Sequence, residues 1–203
     1  MKNKFLKTVL LATLFLGVAS SCVNDDDFDI PALRPIIYSE NFNEIDYNMT
    51  FDYADWTNFA EAGTKKWIER EFRDDGYIQF SSFGSGEASN IGWAISPAMD
   101  MDAYTGEVLT FKSATNFVDN PANKLEVFVS SDYDGTNVLA ATWTQVDAVV
   151  ADETTNGYTY VSSGNIDLSS YTGTLHVAFK VTGNGTSLDG LFQVDKIVIY
   201  SSN

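Results

Sequence analysis

The chain has 203 residues with 12 basic and 28 acidic side chains, a formal charge of −16, and 44% of it is hydrophobic and 14% aromatic. So acidic a surface repels polyanions, and the few Lys and Arg are scattered along the sequence, which sets aside nucleic-acid binding and adhesion to anionic membrane by charge. One cysteine and one histidine exclude zinc sites of Cys/His type, and leave packing, with oxygen ligands for a divalent cation, to hold the fold.

The first 21 residues carry Lys2, Lys4 and Lys7, then an apolar run from Thr8 to Ala19 that is too short to span a bilayer, then Ser20-Ser21 before Cys22. A small-residue box ending in Cys resembles the lipobox of bacterial lipoproteins. That resemblance implies cleavage before Cys22 and lipidation of its thiol, with Ala19 standing where many such boxes have Leu. The run Asn24-Asp25-Asp26-Asp27 resembles the surface-export signal of the Bacteroidota, although it also reads as a solvated linker. Residues 1–21 are thus a signal, 22–35 a lipidated acidic tether with two prolines, and 36–203 one domain. Removing the signal leaves 9 basic against 28 acidic side chains, a net −19. The address expected is the outer membrane, facing the exterior.

From Ile36 onward, short stretches rich in Val, Ile, Thr, Tyr, Phe and Trp recur between Gly, Asn, Asp and Ser clusters, with no sustained 3.6-residue period. The pattern predicts strands at 36–42, 66–72, 77–81, 92–95, 107–113, 124–130, 142–149, 158–165, 174–181 and 191–200. Residues 43–64 read as a long loop with one helical turn or a short strand. Leu125, Val127 and Val129 alternate onto one face, as do Leu175, Val177 and Phe179, and both faces belong in a core. Long connections favour an all-β jelly-roll β-sandwich of two antiparallel sheets over an up-and-down barrel.

Several phrases then fall in order: Ser39-Glu40-Asn41-Phe42, Trp56, Gly92-Trp93-Ala94-Ile95-Ser96-Pro97, Val108-Leu109-Thr110-Phe111, Leu125-Glu126-Val127-Phe128-Val129-Ser130-Ser131-Asp132, Trp143, Ile166-Asp167-Leu168, Val177-Ala178-Phe179 and Val194-Asp195-Lys196-Ile197. Together they resemble the cleaved-adhesin or choice-of-anchor J domain family over roughly residues 36–200. The resemblance implies a jelly roll related to galactose-binding and MAM domains, and binding rather than catalysis. It also implies a structural Ca2+ joining an acidic residue of the first strand, Glu40, to one of the last, Asp195, with backbone carbonyls drawn from a segment near residues 64–66. Without metal, Glu40 is an edge-strand charge and Asp195 caps or pairs with Lys196.

Other chemistry is thin. His176, alternating with Leu175 and Val177, reads as a surface-facing or satisfied strand residue rather than a general base. Paired carboxylates for a hydrolase are conceivable, but 28 acids make such a pair uninformative. Asp132-Tyr133-Asp134-Gly135-Thr136-Asn137 holds a fragment of a calcium loop and reads first as a turn. Trp56, Tyr53 and Trp67 are the candidates for stacking on a ligand, with Tyr47 and Tyr104 also in loops, while Trp93 and Trp143 read as buried structure. The expected protein is a non-catalytic surface module binding glycan or a surface or host protein, through loops at one end or a concave sheet. The alternative is an accessory or structural subunit of an outer-membrane uptake complex.

Overall fold

A computed structural model describes residues 34–44 and 46–202, so the signal, Cys22 and most of the tether read from the sequence lie outside the described residues. Thirteen strands follow one another with no helix among the described residues: β1 Ile36–Glu40, β2 Thr57–Ala62, β3 Ile68–Phe72, β4 Asp75–Ser81, β5 Asn90–Ile95, β6 Met99–Asp100, β7 Glu107–Asn116, β8 Lys124–Ser130, β9 Thr144–Gln145, β10 Val161–Ser162, β11 Ile166–Asp167, β12 Thr174–Gly183 and β13 Leu191–Ser201. They form two antiparallel sheets. A seven-stranded sheet runs β10-β7-β13-β4-β3, with β1 also on β13 and β11 also on β7, and a six-stranded sheet runs β2-β5-β12-β8-β9, with β6 also on β12. The all-β sandwich expected from the alternation is the fold observed.

Alternation decides which side chains meet between the sheets. On β8 and β12 the inward residues are Leu125, Val127 and Val129, and Leu175, Val177, Phe179 and Val181, all buried. Opposite them lie Ile78 and Phe80 of β4, Leu109 and Phe111 of β7, and Phe192 and Val194 of β13, in the same cluster. Phe111 and Phe179 meet across the layer edge to face, with ring centroids 5.1 Å apart. Burying one such ring contributes about 2–3 kcal/mol. Gly92 of β5 is required by this packing, because a Cβ there would stand 2.0 Å from the Phe80 ring.

Two predicted strands shrink to two-residue pairings, β9 and β10, for a reason visible in the hydrogen bonds. Val146 N donates to Val127 O on the six-stranded sheet, Val149 N to Ser163 O beside the seven-stranded sheet, and Ala151 N to Ser113 Oγ within it. A segment that crosses between layers within six residues cannot keep a ladder with either. The short strand foreseen as one option within 43–64 is β2, which closes the six-stranded sheet against β5.

The outward face of the six-stranded sheet carries a second cluster, in which Trp93, Ile95 and Ala178 are covered by Tyr133 and Val138, with Phe59, Phe128 and Trp143 packed against it. The loop supplying that cover is fixed by the carboxylate of Asp134, which accepts from Thr136 N and Asn137 N at 2.8 and 2.7 Å while Gly135 takes φ +82°. These bonds hold the Asp134 carboxyl down at about 2. The turn reading of this loop accounts for both of its carboxylates, since Asp132 accepts from Thr142 N at 2.8 Å.

Candidate functional site

Among the described residues the outward face of the seven-stranded sheet carries no such hydrophobic cluster, and it is partly open: Ala114, Tyr77 and Gln193 are buried while Ile68 and Gln79 are half-buried. Register places Ile68, Gln79, Gln193 and Ala114 in one row across β3, β4, β13 and β7, with Ser81, Leu191 and Asn116 in the next row on the same face. These positions alternate with the buried Ile78, Phe80, Phe192 and Val194, so they point away from the core. Two hollows of about 610 and 460 Å³ lie along this face and share Gln79 and Leu191. Gln193 Nε2 donates to Gln79 Oε1 at 3.2 Å; Gln193 is almost fully buried and Gln79 half-buried, so Gln79 is the amide nearer to solvent.

Aromatic side chains rim the face. Among the described residues seven aromatic side chains are exposed, and six of them line the two hollows: Phe83 and Phe117 one, and Tyr47, Phe72, Tyr158 and Tyr160 the other. Phe83 and Phe117 are 72% and 68% exposed, an orientation the core does not explain. Tyr77 lies deeper, and its hydroxyl is pushed up by burial, with Arg70 beside it pulling the other way. The Tyr160 hydroxyl is raised by burial and by the charge of Asp195.

At the same end β13 breaks its ladder. Its register with β7 shifts between Asp195 and Val198, and Lys196 takes φ +51°. That bulge lets Lys196 pair with Asp195 at 3.1 Å and also with Asp75. The Asp195 carboxyl is pushed up to about 6, burial outweighing the neighbouring lysine. A raised carboxyl near a binding face is the signature of an acid catalyst. Here, however, Asp195 is almost completely buried and lines neither hollow, so no substrate oxygen reaches it.

The residues expected to bind from sequence fall elsewhere. Trp67 is fully buried, its ring against Phe80 and its backbone N–H and C=O both bonded to the Asn58 side chain, so it cannot stack on a ligand. The phase of alternation explains this correction: Trp67 and Glu69 point inward, Ile68 and Arg70 outward. Trp56 is half-buried against Phe42 and Phe51, its Nε1 donating to Tyr38 Oη at 3.1 Å. Tyr53 packs on the same two rings, and burial together with Glu40 raises its hydroxyl. His176 is buried and satisfied, its Nδ1 lying 2.8 Å from Ser96 O. It is therefore not on the surface, one of its two expected settings.

Glu40 borders a separate cleft of about 580 Å³ with Asn41, Asn43, Glu44, Tyr53 and Ala54, an oxygen-rich lining that suits a hard cation. Its Oε1 already accepts from Phe42 N at 2.8 Å. Asp195 is not in that lining, and its carboxylate is taken up by Lys196, as the alternative reading of that residue expects. Among the described residues no three His, Cys, Asp or Glu side chains cluster as a metal site would require. The cleft thus holds two carboxylates, Glu40 and Glu44, and Asp195 stands apart from it, paired with Lys196.

The face itself was missed by the sequence reading. Its signal is the pattern Tyr77-x-Gln79-x-Ser81 and Leu191-x-Gln193, in which the outward positions of two strands carry Tyr, Gln and Leu where a solvated strand would carry Lys, Glu or Thr.

Comparison with known proteins matches the chain to the family described as "Domain of unknown function (DUF5017)" over residues 65–201. Comparison with curated protein sequences returned no match. Among solved structures it is similar to the K1 cleaved adhesin domain of Lys-gingipain from Porphyromonas gingivalis W83, at 22% identity and TM-score 0.51, covering 82% of this chain and 98% of that one. The K2 cleaved adhesin domain of Lys-gingipain superposes with TM-score 0.53 at 14% identity, covering 82% and 98%. A carbohydrate-binding module of specific mannan recognition, TmCBM27, gives TM-score 0.50 at 12% identity, covering 85% and 100%. The chain belongs to the DUF5017 family and has the β-sandwich fold of the cleaved adhesin domains, as the ordered phrases of its sequence imply.

Proposed function

We propose that this protein is a surface lipoprotein whose domain binds a glycan along the open face of the seven-stranded sheet, without turning it over. One observation carries the reading: among the described residues, six of the seven exposed aromatic side chains border that one face, around the Gln79–Gln193 amide pair. Flat rings stack on the apolar faces of sugars, and amide groups meet their hydroxyls, so the combination is suited to a chain of sugar rings lying across the strands. Fold likeness to a carbohydrate-binding module supports the reading. The test is titration of the purified protein against a polysaccharide panel, with Tyr160→Ala and Gln193→Ala alongside. Saturable binding weakened about tenfold in either variant is the expected result. Release of reducing ends would instead overturn the non-catalytic part.

Anchoring at Cys22 and export through Asp25, Asp26 and Asp27 belong to the same proposal. Cys22→Ala should move the protein from the membrane to the soluble fraction, and neutralising the three aspartates should cost protease accessibility on intact cells. Calcium in the Glu40 cleft completes it. EDTA should lower the melting temperature, and Glu40→Gln should remove that dependence, whereas an EDTA-insensitive native protein would discard the cation. The second reading, an accessory subunit of an outer-membrane uptake complex, draws on the exposure of Phe83 and Phe117, which would equally suit a protein partner. A co-purifying membrane protein lost on Phe83→Ser would favour it.

A further inference from the structure

We infer that the glycan taken by this face is anionic, carrying carboxylate or sulfate groups that Lys65, Lys66 and Arg70 meet. The inference rests on the glycan reading above and adds the chemical class. It begins with an asymmetry that the sequence hides. Basic residues scattered along the chain are gathered by the fold: of the nine outside the signal, Lys65, Lys66 and Arg70 line the two hollows, and Lys112 and Lys196 lie on β7 and β13 of the same sheet. Arg73 sits over the ring of Phe72, which lines one of the hollows. Only Arg34, Lys124 and Lys180 lie elsewhere, and the last two are paired with Glu126 and Glu61.

The carboxylates cancel this in one hollow but not in the other. Beside Tyr47 and Phe72, Arg70 stands with Glu71 and Asp75, the latter paired with Lys196, whereas the hollow of Phe83 and Phe117 holds Lys65 and Lys66 against Asp189 alone. Among the described residues Lys65, Lys66 and Arg70 have no carboxylate within ion-pair distance. In a domain this acidic, two lysines against one carboxylate in the hollow of Phe83 and Phe117 mark a local reversal of sign. Screening confines the repulsion of distant carboxylates to about 8–10 Å at physiological ionic strength, so the local cations decide what docks.

The geometry of Arg70 adds a second argument. Its Nη1 donates to Asn48 Oδ1 at 2.8 Å, its guanidinium lies 4.9 Å over the Tyr47 ring, and its Nε is buried with no hydrogen-bond partner. A planar guanidinium held by stacking can donate its remaining Nη N–H groups to a carboxylate or sulfate oxygen. At the other end, a sugar resting on Phe83 or Phe117 would bring an acidic substituent toward Lys65 and Lys66.

The experiment is affinity electrophoresis and calorimetry of the full-length protein in detergent against polygalacturonate, the same polymer with its carboxyls methyl-esterified, chondroitin sulfate, and neutral mannan and xylan. Expected is binding to an acidic polymer that falls at least tenfold on esterification, weakens with added NaCl, and weakens about tenfold in Lys66→Glu. Lys66 is exposed and unpaired, so this variant should melt with the native protein; Arg70→Gln serves as the second variant. A polygalacturonate preference assigns the carboxylate, and a chondroitin sulfate preference that survives carboxyl esterification assigns the sulfate. Binding only to mannan or xylan, or acidic binding indifferent to salt and to Lys66→Glu, overturns the anionic class and leaves the glycan reading standing. No binding to any polymer overturns both.

Discussion

On the six-stranded sheet the outward Trp93 is covered by Tyr133 and Trp143 and holds the Lys180 ammonium 4.6 Å from its ring, while Lys180 also pairs with Glu61 at 3.0 Å. On the seven-stranded sheet the outward Gln79 is only half-buried, exposed aromatic rings rim the face, and Lys65, Lys66 and Arg70 have no carboxylate within ion-pair distance. Both faces are aromatic and both carry basic residues. The difference is that one face has spent its rings and charges on itself. An aromatic residue on a sheet therefore says little about binding until the loops that could cover it are known.

The largest test of that comparison removes what the faces share. Phe179→Ala should cost about 4 kcal/mol of stability, since the ring is fully buried and edge to face with Phe111, and it should loosen both faces together in a urea titration. Trp143→Ala strikes only the covered face. It should cost about 2 kcal/mol, lower the melting temperature by about 4–8 °C, and leave glycan affinity unchanged at 20 °C. A loss of affinity there would break the separation of the two faces.

Protonation offers a smaller test. Asp195, with its carboxyl pushed up to about 6 from 3.8, binds its proton more tightly folded than unfolded, so its contribution is present below about pH 4 and lost as pH rises through about 6. The melting temperature of the native protein should therefore decline between pH 5 and pH 7 relative to Asp195→Asn. If added calcium instead makes the native protein gain stability over that window, Asp195 has left Lys196 for the metal. The smallest effect expected is that of Phe83→Ser, within about 0.5 kcal/mol in stability because the ring is largely in solvent. Its affinity for glycan should nonetheless fall, and a large loss of stability would mean that the open face is structural after all.

Much of the fold was legible because burial writes itself into strict alternation. Residues 124–130 were read with the bounds that β8 has, since Leu125, Val127 and Val129 face the core while Lys124 and Glu126 pair with each other in solvent. Strand β2 was legible only as one of two options within a long loop, because none of its six residues is fully buried and no inward and outward sets separate. The proposed binding face escaped for a different reason. Gln79 and Gln193 are 114 positions apart and meet only through the pairing of β4 with β13, a partnership no local pattern announces. The gathering of Lys65, Lys66, Arg70, Lys112 and Lys196 is hidden in the same way. Trp67 misled because a tryptophan beside lysines reads as exposed until the phase of β3 is fixed.

Strand β13 is the last strand of the domain, yet it sits at the middle of its sheet, against β7 on one side and β4 and β1 on the other. A nascent chain that has not yet reached residues 191–201 lacks the one strand to which β1, β4 and β7 all pair. The pairs β3–β4, β7–β10 and β7–β11 need no β13, but joining them into one sheet waits on contacts spanning nearly the whole domain. For a protein proposed to be exported to the cell surface, the order of strands keeps the seven-stranded sheet unjoined until its last strand has been made.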